Sequence, residues 1–370
     1  MRRETGPPMD CPAGCGLPTV YTHLVCSETK AYCTNLRLDK SKLKRVSLRP
    51  VRPRLRLGLR FWDHLTPLAL GEIQPHGFEL ELSRLATTPD VATSNDYDGG
   101  ETSFARYVLG IARGDRRLVG LPAFVMRGFR HRCIVVRRES PLHHPAHLSN
   151  MRVGLTGWPD SGNTWTRAVL RHAGVDLTSI QWTVGPAFAA EVAHDAAGLQ
   201  LPANVRVAPP GESLVEGLLT GTLDAAMMPF MPSDFHQPDS PLRPLISDYR
   251  SAEIAYYQDV GFVPGIHLVT LKREVVEAYP WLPAAVLDAL ERSKQLWWTQ
   301  RKRLFDTTPW LLADIDTTIK VVGDDWMPYG LEPNARMVSA FCAELEAQGI
   351  APCPLNPSDV FSSFPEEVPA

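Results

Sequence analysis

Apolar and polar residues alternate with a period of two at the start of the region beyond residue 54, and this pattern predicts β-strands. The first run covers residues 55–60 and sets three Leu residues against Arg and Gly. The second run covers Phe78 to Leu85. Short apolar runs predict further strands at residues 118–125, 133–136, 151–155, 180–184, 205–208, 223–228 and 266–271.

Helical spacing of apolar residues predicts helices between and after these strands. Asp63 is a candidate N-cap for a short helix that ends at Gly71. Residues 98–103 are predicted to form a turn that leads into a helix, and a loop rich in hydrogen-bond donors covers residues 157–164. The longer predicted helices cover residues 104–113, 165–172, 213–219, 247–258, 274–279, 283–305 and 334–348.

Strands and helices alternate up to residue 138 and again after His147, which predicts two α/β units. We expect the second unit to interrupt the first, so that residues 54–138 and 232–370 form one lobe and residues 139–231 the other. A two-lobed α/β fold with a ligand cleft between the lobes suits small anions. Residues 1–53 contain Pro, Gly and Cys at irregular spacing, followed by a basic run. We therefore expect a poorly ordered extension there.

The composition is that of an ordinary globular protein of 370 residues, with 44% hydrophobic and 21% charged residues. The net charge of −3 gives no reason to expect nucleic acid or a membrane as a partner. No apolar run approaches the roughly 18 residues that a membrane-spanning helix needs. Because the N-terminus also lacks the apolar stretch of a secretory signal, we expect a cytoplasmic protein.

Four of the seven cysteines lie in the N-terminal segment, at Cys11, Cys15, Cys26 and Cys33. Their spacing lacks the paired C-x2-C units that are typical of zinc sites. We therefore expect no metal site there.

A cationic segment, residues 126–138, carries the first candidate chemistry. Arg127, Arg130, His131 and Arg132 immediately precede the apolar run 133–136, and such a position places charge at a strand end. Arg can hold a carboxylate through two parallel hydrogen bonds, and His can carry a proton near neutral pH. The segment predicts an anion site with proton chemistry, and the alternative is a solvated basic turn.

Several separated motifs occur in order along residues 55–354. They are Asp98-x-x-Glu101-x-Ser103-x-x-x-Tyr107, Ala112-Arg-Gly-Asp115, Phe129-Arg130-His131, Trp165-x-Arg167, Asp248-Tyr-Arg250-x-Ala-Glu253-x-x-Tyr256-Tyr257, Pro264-x-x-His267, Tyr279-Pro280-Trp281 and Gly323-Asp-Asp-Trp-Met-Pro-Tyr-Gly-Leu-Glu-Pro-Asn334. In this order they resemble the 4,5-dihydroxyphthalate decarboxylase family, whose members are similar to type II periplasmic binding proteins.

The resemblance implies a two-lobed fold of that type and a carboxy-lyase reaction. The expected reaction converts 4,5-dihydroxyphthalate to protocatechuate and carbon dioxide in phthalate degradation. A hydroxyl para to the leaving carboxylate feeds electron density into the ring, so the reaction needs a proton donor, a partner for the phenol and a clamp on the retained carboxylate. It needs no electron sink such as pyridoxal phosphate, and we expect no cofactor.

The resemblance also implies roles for residues of the first lobe. Arg130 is the expected carboxylate clamp, and His131 is the expected proton donor or phenol partner, with His267 as the competing candidate. Glu101 and Ser103 precede a helix whose free N–H groups can hold an oxyanion. The structural alternatives are a carboxylate stabilised by the helix dipole for Glu101 and a simple cap for Ser103.

Further candidates lie at the predicted helix start after residue 160, where Asn163, Thr164 and Arg167 are expected to close on the substrate. Trp165 is expected either to stack on the aromatic ring or to fill the core between the lobes. The adjacent carboxylates at residues 324 and 325 point to opposite sides of an extended chain, which disfavours a metal pair.

Three residues are expected to play secondary parts in substrate binding. Tyr329 is expected near the cleft, and Arg127 is a secondary candidate for the anion. His64 stands where the family has an Arg, which leaves the particular aromatic acid open.

Two functional alternatives remain at this stage. One is a solute-binding protein for an aromatic or other organic anion, because fold alone does not give function. The other is a different cytoplasmic enzyme on the same scaffold. In each case the expected partner is a small molecule, an aromatic carboxylate for the decarboxylase, and a homo-oligomer is possible.

Overall fold

Two six-stranded sheets organise the chain in the computed structural model, which describes residues 52–189 and 201–365. The predicted N-terminal extension and its four cysteines lie outside the described residues, except for Arg52 and Pro53. Within the described residues the strands are β1 (Arg54–Arg60), β2 (Glu79–Leu85), β3 (Gly99–Ser103), β4 (Leu118–Gly120), β5 (Met126–Arg127), β6 (Ile134–Arg137), β7 (Arg152–Leu155), β8 (Gln181–Val184), β9 (Val205–Val207), β10 (Ala225–Met227), β11 (Leu242–Pro244) and β12 (Gly265–Lys272).

Helices cover the sheets and dominate the last third of the described chain. They are α1 (Thr66–Ala69), α2 (Phe104–Ala112), α3 (Ser161–His172), α4 (Leu214–Thr220), α5 (Tyr249–Val260), α6 (Arg273–Ala278), α7 (Leu282–Arg303), α8 (Leu311–Val322) and α9 (Ala335–Ala347). A short 3-10 helix, His131–Cys133, precedes β6.

The first sheet has the order β2-β1-β3-β12-β4, and β5 pairs with β12 beside β4. Strand β1 runs parallel to β2 and β3, whereas β12 is antiparallel to β3, β4 and β5. The second sheet has the order β11-β6-β10-β7-β8-β9 and is parallel from β10 to β9. We call the elements built on the first sheet the first lobe and those built on the second sheet the second lobe.

The chain crosses between the sheets twice, between β5 and β6 and again between β11 and β12. The two-lobed α/β fold expected from the alternating pattern is therefore confirmed. The expected boundaries at residues 138/139 and 231/232 stay a prediction. They assign β6 and β11 to the first lobe, whereas both strands pair within the second sheet.

An aromatic cluster packs helices α2, α3 and α9 together. The ring of Phe104 on α2 lies 4.4 Å from that of Phe341 on α9 and 4.8 Å from that of Phe124, measured between centroids. Trp165 on α3 lies 5.1 Å from Phe341. Since these rings are fully buried, the cluster fixes the N-terminal ends of α2 and α3 relative to each other.

The turn predicted for residues 98–103 is wrong, because these residues include the central strand β3. A Cβ atom on Gly99 would lie 2.6 Å from the carbonyl oxygen of Thr270, and one on Gly100 would lie 2.5 Å from that of Gly58. The glycines thus permit close approach of the neighbouring strands instead of a turn. Glu101 consequently lies inside a strand and not at a helix start.

Other differences concern the start of one helix and elements that were not predicted. Helix α3 begins at Ser161, inside the predicted donor-rich loop, because the side chain of Asp160 caps it by accepting from the Asn163 N–H. Strand β11 and helix α8 were not predicted from the sequence. Helix α8 buries only Ile315, so most of its apolar residues do not mark a core-facing stripe.

Candidate active site

A cleft with a volume of about 370 Å³ opens between the two lobes. A cavity of this size is at the small end of the range for ligand sites, which suits a molecule with a single ring. Arg130, at the crossover between β5 and β6, lines the cleft together with residues of both lobes. Among these are Arg60, Ser103, Arg106 and His267 from the first lobe and Thr156, Asp160, Gly162 and Phe230 from the second.

A buried carboxylate and an imidazole meet on the first lobe's wall. Strand β12 pairs with β3 so that His267 lies opposite Ser103, which places His267 and Glu101 on the same face of the sheet. Nδ1 of His267 lies 2.6 Å from Oε1 of Glu101. The carboxylate is fully buried, whereas the imidazole is 16% exposed and lines the cleft.

The other carboxylate oxygen of Glu101 is also held. Oε2 accepts hydrogen bonds from the Arg60 backbone N–H at 2.9 Å and from Nε1 of Trp62 at 2.8 Å. Burial raises the pKa of Glu101, but the hydrogen bonds and charge of His267, aided by those two donors, outweigh it and leave this pKa lowered. Glu101 is therefore a carboxylate at neutral pH.

Because Glu101 is ionised, its hydrogen bond determines the tautomer of His267. Because the carboxylate can only accept, Nδ1 of His267 carries the hydrogen that is donated to it. Nε2 is left to exchange a proton with a molecule in the cleft. A buried anion behind the ring also stabilises the imidazolium, so the pair can serve as a general acid or base.

Arg130 supplies a buried positive charge to the cleft. Its side chain is 3% exposed, its Nε has no hydrogen-bond partner, and it takes part in no ion pair within the described ranges. A Cβ atom on Gly162 would lie 2.5 Å from Nη2 of Arg130, so this glycine lets the guanidinium rest against the first turn of α3. Arg130 interacts electrostatically with the Glu253 carboxyl without forming an ion pair, and a hydrogen-bonding carboxylate in the cleft would offset more of the cost of burying its charge.

Two serine hydroxyls, of the cleft-lining Ser103 and the buried Ser161, connect the lobes. Oγ of Ser103 lies 2.8 Å from Oγ of Ser161, which also accepts from the Ala105 N–H at 2.9 Å. Ser103 occupies the N-cap position of α2, yet its side chain makes no capping hydrogen bond. The hydroxyl pair thus brings the starts of α2 and α3 together beside Arg130.

His131 lies outside the cleft lining. It is 5% exposed, its Nδ1 has no partner, and its ring packs edge-on against Tyr256 at a centroid distance of 5.2 Å. Burial, together with the charge of His172, lowers the pKa of His131 to about 4. The proton-donor role expected for His131 stays a prediction, and the cleft geometry favours His267 in its place.

The polar residues expected on α3 serve its internal structure. Nδ2 of Asn163 donates to Oγ1 of Thr156 at 3.0 Å and to the Gly157 carbonyl at 3.1 Å. Oγ1 of Thr164 donates to the Asp160 carbonyl at 2.9 Å. Neither residue lines the cleft, but their hydrogen bonds hold the loop that does.

Trp165 and Arg167 are core residues in this structure. The indole of Trp165 donates to the Gly265 carbonyl at 2.8 Å and is 1% exposed, which agrees with the core alternative. Arg167 donates to Gln348 at 2.7 Å and to the Trp158 carbonyl at 2.6 Å, and burial lowers its pKa to about 9. The substrate contacts expected for both residues stay predictions that the cleft lining does not support.

Arg127 and Tyr329 also lie away from the cleft lining. Arg127 donates to the carbonyls of Val263 and Pro328 and to the side chain of Asn334, so it ties the strand β5 to the segment before α9. The ring of Tyr329 lies under the Lys294 ammonium at 4.5 Å, and burial raises the pKa of its hydroxyl strongly.

His64, the residue that departs from the family motif, is likewise outside the cleft lining. It is 4% exposed, and its ring lies 6.0 Å from that of Trp297. The part expected for His64 in substrate binding stays a prediction that the cleft lining does not support.

Arg60 and Phe230 are cleft residues that sequence reasoning missed. Arg60 was interpreted as one of the polar positions of an alternating strand, although it is the last residue of β1 and the carboxyl ends of parallel strands are where α/β folds place ligands. Phe230 is the third residue after β10 and carried no pattern of its own.

Within the described residues, no group of three or more His, Cys, Asp or Glu side chains is arranged to hold a metal ion. Asp324 accepts from Lys302 and Trp298, and Asp325 accepts from Lys294, so these adjacent carboxylates have protein partners. In the same part of the chain, no helix is long and apolar enough to cross a membrane.

Comparison with known proteins gives two relatives that carry the same name. The chain is 28% identical over 313 residues to a 4,5-dihydroxyphthalate decarboxylase of Comamonas testosteroni, which covers 81% of this chain and 93% of the relative. The resemblance to the 4,5-dihydroxyphthalate decarboxylases is confirmed. A decarboxylase of the same name from Pseudomonas putida is 30% identical over 170 residues, which covers 45% of this chain and 66% of that protein. No family model matches the chain.

Solved structures with partial similarity include binding proteins and an enzyme. The aliphatic sulphonate-binding protein SsuA of Escherichia coli has a TM-score of 0.47 and 17% identity, covering 84% of this chain and 97% of that protein. The alkanesulfonate-binding protein SsuA of Xanthomonas axonopodis, bound to MOPS, has a TM-score of 0.49 and 14% identity, with 83% and 97% covered. The desulfurization enzyme DSZB has a TM-score of 0.45 and 14% identity, with 85% and 96% covered.

Proposed function

We propose that this protein catalyses the non-oxidative decarboxylation of a hydroxylated aromatic acid, with 4,5-dihydroxyphthalate as substrate and protocatechuate and carbon dioxide as products. The observation that carries the proposal is the Glu101–His267 pair in one cleft with the buried Arg130, whose Nε has no hydrogen-bond partner. The two relatives named 4,5-dihydroxyphthalate decarboxylase support the choice of substrate. A place in phthalate breakdown is part of this proposal, and a cytoplasmic location stays a prediction.

Binding begins with the carboxylate that the product retains. The guanidinium of Arg130 receives it through two parallel hydrogen bonds, which fix the plane of the ring as well as its position. The first turn of α3, against which Arg130 rests, brings the positive end of the helix dipole to the same anion site.

The proton step then takes place at the carbon that bears the second carboxylate. The para hydroxyl feeds electron density into the ring, and that carbon takes the proton from Nε2 of the His267 imidazolium. The bond to the carboxylate carbon breaks, its electron pair restores the aromatic ring, and carbon dioxide leaves. The imidazole regains a proton from solvent, so the step consumes one proton for each carboxylate lost.

Glu101 acts through His267 and does not touch the substrate. Its carboxylate holds the ring in one orientation and stabilises the imidazolium before the proton is transferred. The Arg60 N–H and the Trp62 indole keep Glu101 in place on its other side. The reacting group is therefore positioned by the core of the first sheet.

The direct test is turnover of 4,5-dihydroxyphthalate by the purified protein in deuterated water. We expect protocatechuate with one deuterium at the carbon that lost its carboxylate, measured by mass spectrometry and proton NMR. We expect unchanged turnover in the presence of a chelator. Binding without turnover would contradict the proposal and favour the solute-binding alternative.

Arg130→Gln tests the clamp, with Arg132→Gln as the matched control two residues along the chain. Arg132 is exposed and outside the cleft lining, so its loss leaves the anion site intact. We expect Arg130→Gln to raise KM by about 10- to 100-fold, the effect of losing a hydrogen-bonded charge pair, and Arg132→Gln to change it by less than about threefold. Equal effects of the two variants would remove Arg130 from the site.

A further inference from the structure

Arg60 is a cleft residue whose guanidinium lies over two aromatic rings. It is the last residue of strand β1. Its backbone N–H donates a hydrogen bond to Glu101, and its side chain lines the cleft. The guanidinium carbon lies over the ring of Trp62 at 5.1 Å from the centroid and over the ring of Phe230 at 5.8 Å. Trp62 belongs to the first lobe and Phe230 to the second, so Arg60 contacts both walls.

Both rings lie within cation–π range of the guanidinium carbon, and the five N–H donors of a guanidinium point outward in its plane. No ion pair or hydrogen bond involves the Arg60 side chain within the described residues. The two rings also restrict the rotamers of the Arg60 side chain. Its guanidinium is therefore pre-oriented for an anion and loses little conformational entropy on binding.

We propose that Arg60 selects substrates with a second carboxylate by binding that group while Arg130 holds the first. This inference rests on the proposed function, and it adds a residue that sets specificity for aromatic diacids over monoacids. We assign the carboxylate that leaves to Arg60, because its side chain lines the same cleft as His267 and its backbone N–H donates to Glu101, the partner of His267.

The assignment has a kinetic consequence. Arg60 stabilises the bound diacid, but the product has lost the carboxylate that it contacts, so Arg60 strengthens substrate binding without strengthening product binding. Binding the departing group does not lower the barrier of the chemical step. We therefore expect loss of Arg60 to raise KM for the diacid much more than it lowers kcat.

Arg106 is the competing cation, and it provides the matched control. It also lines the cleft, but its side chain is exposed and no aromatic ring is found over it within the described ranges. A flexible, solvated Arg attracts any anion over a distance without reading its shape. Arg106→Gln should therefore weaken monoacid and diacid binding only by small factors, with the slightly larger loss for the doubly charged diacid.

The test uses phthalate and benzoate as ligands, because neither carries the para hydroxyl that the reaction needs and binding is measured without turnover. Titration calorimetry is performed on the wild type, Arg60→Gln, Arg60→Lys and Arg106→Gln. We expect the wild type to bind phthalate about 10- to 100-fold more tightly than benzoate, and Arg60→Gln to reduce this ratio to within about threefold. Arg60→Lys should keep more of the preference for phthalate than Arg60→Gln does, because lysine retains the positive charge but lacks the planar set of guanidinium donors.

The outcomes separate this inference from the proposed function. An unchanged phthalate-to-benzoate ratio in Arg60→Gln overturns the role of Arg60 even if the protein decarboxylates 4,5-dihydroxyphthalate. An equal loss of preference in Arg106→Gln also overturns it, because long-range attraction then explains the selectivity. A ratio that falls only in Arg60→Gln supports the role of Arg60 even if no turnover is found.

Discussion

Two histidines of this protein, His267 and His131, lie close to the same cleft and have opposite surroundings. His267 is hydrogen-bonded to a buried carboxylate and faces the cleft. His131 follows Arg130 directly in sequence, yet it is buried with an unpartnered Nδ1, and its pKa is lowered to about 4. The first can exchange a proton with a molecule in the cleft, whereas the lowered pKa of the second keeps it neutral at neutral pH.

The comparison shows that adjacency to a ligand-binding cation is not the property that makes a histidine reactive. A histidine needs access to the ligand and a partner that stabilises its charged form. His267 obtains both through strand pairing with β3, from a residue 166 positions away in the chain. His131 obtains neither, because the 3-10 turn after Arg130 directs it towards Tyr256 on α5.

Replacement of His267 gives the largest expected effect. His267→Gln removes the proton-transfer group, so we expect kcat to fall by about 100- to 10,000-fold while the affinity for phthalate changes by less than about threefold. Steady-state assays and calorimetry measure the two quantities. His131→Gln is the control, with kcat within a few-fold of the wild type. A large fall in kcat for His131→Gln, with kcat of His267→Gln close to that of the wild type, would assign the proton step to His131.

Glu101→Gln sharpens the comparison by removing the charge behind His267 and keeping one acceptor oxygen. We expect kcat to fall by about 10- to 100-fold, because the imidazolium loses its stabilising anion. The double variant with His267→Gln should be no slower than His267→Gln alone, since Glu101 acts only through that ring. Additive losses in the double variant would show that Glu101 acts on the substrate independently.

The pH dependence of stability isolates His131. Its folded pKa of about 4 lies below its ordinary value of 6.5, so the unfolded state binds more protons in this range and stability falls as the pH drops from 6.5 to 4. The expected loss is on the order of 2–3 kcal/mol. His131→Phe should abolish this part of the loss in urea titrations across the range, whereas the exposed His76→Phe should not. Identical pH profiles for the wild type and His131→Phe would mean that His131 is accessible to protons.

Ser103→Ala gives the smallest expected effect. It removes the hydrogen bond to the Ser161 hydroxyl that joins the starts of α2 and α3, which costs about 0.5–1.5 kcal/mol of unfolding free energy and a few-fold in KM. Denaturant midpoints and steady-state kinetics provide the measurement. A loss of turnover comparable to that of His267→Gln would place Ser103 among the groups that touch the reacting atoms.

The sequence by itself determined the local elements and the general chemistry of the cleft. Alternation marked β1 and β2, the apolar run 266–271 marked β12, and the cationic segment marked Arg130, because these signals depend on neighbours along the chain. The order of the motifs was enough to indicate the decarboxylase relatives. His267 was already one of two candidates for the proton step.

Only the tertiary structure decided which candidates meet. Strand β3 was hidden because its two glycines resemble a turn, and their actual role, close approach to β1 and β12, involves residues distant in sequence. Glu101 became the partner of His267 through the register of that strand, and Arg60 gained Phe230 through the packing of one lobe against the other. Sequence patterns report periodicity along the chain, whereas strand register and side-chain orientation depend on contacts that form only when the chain folds.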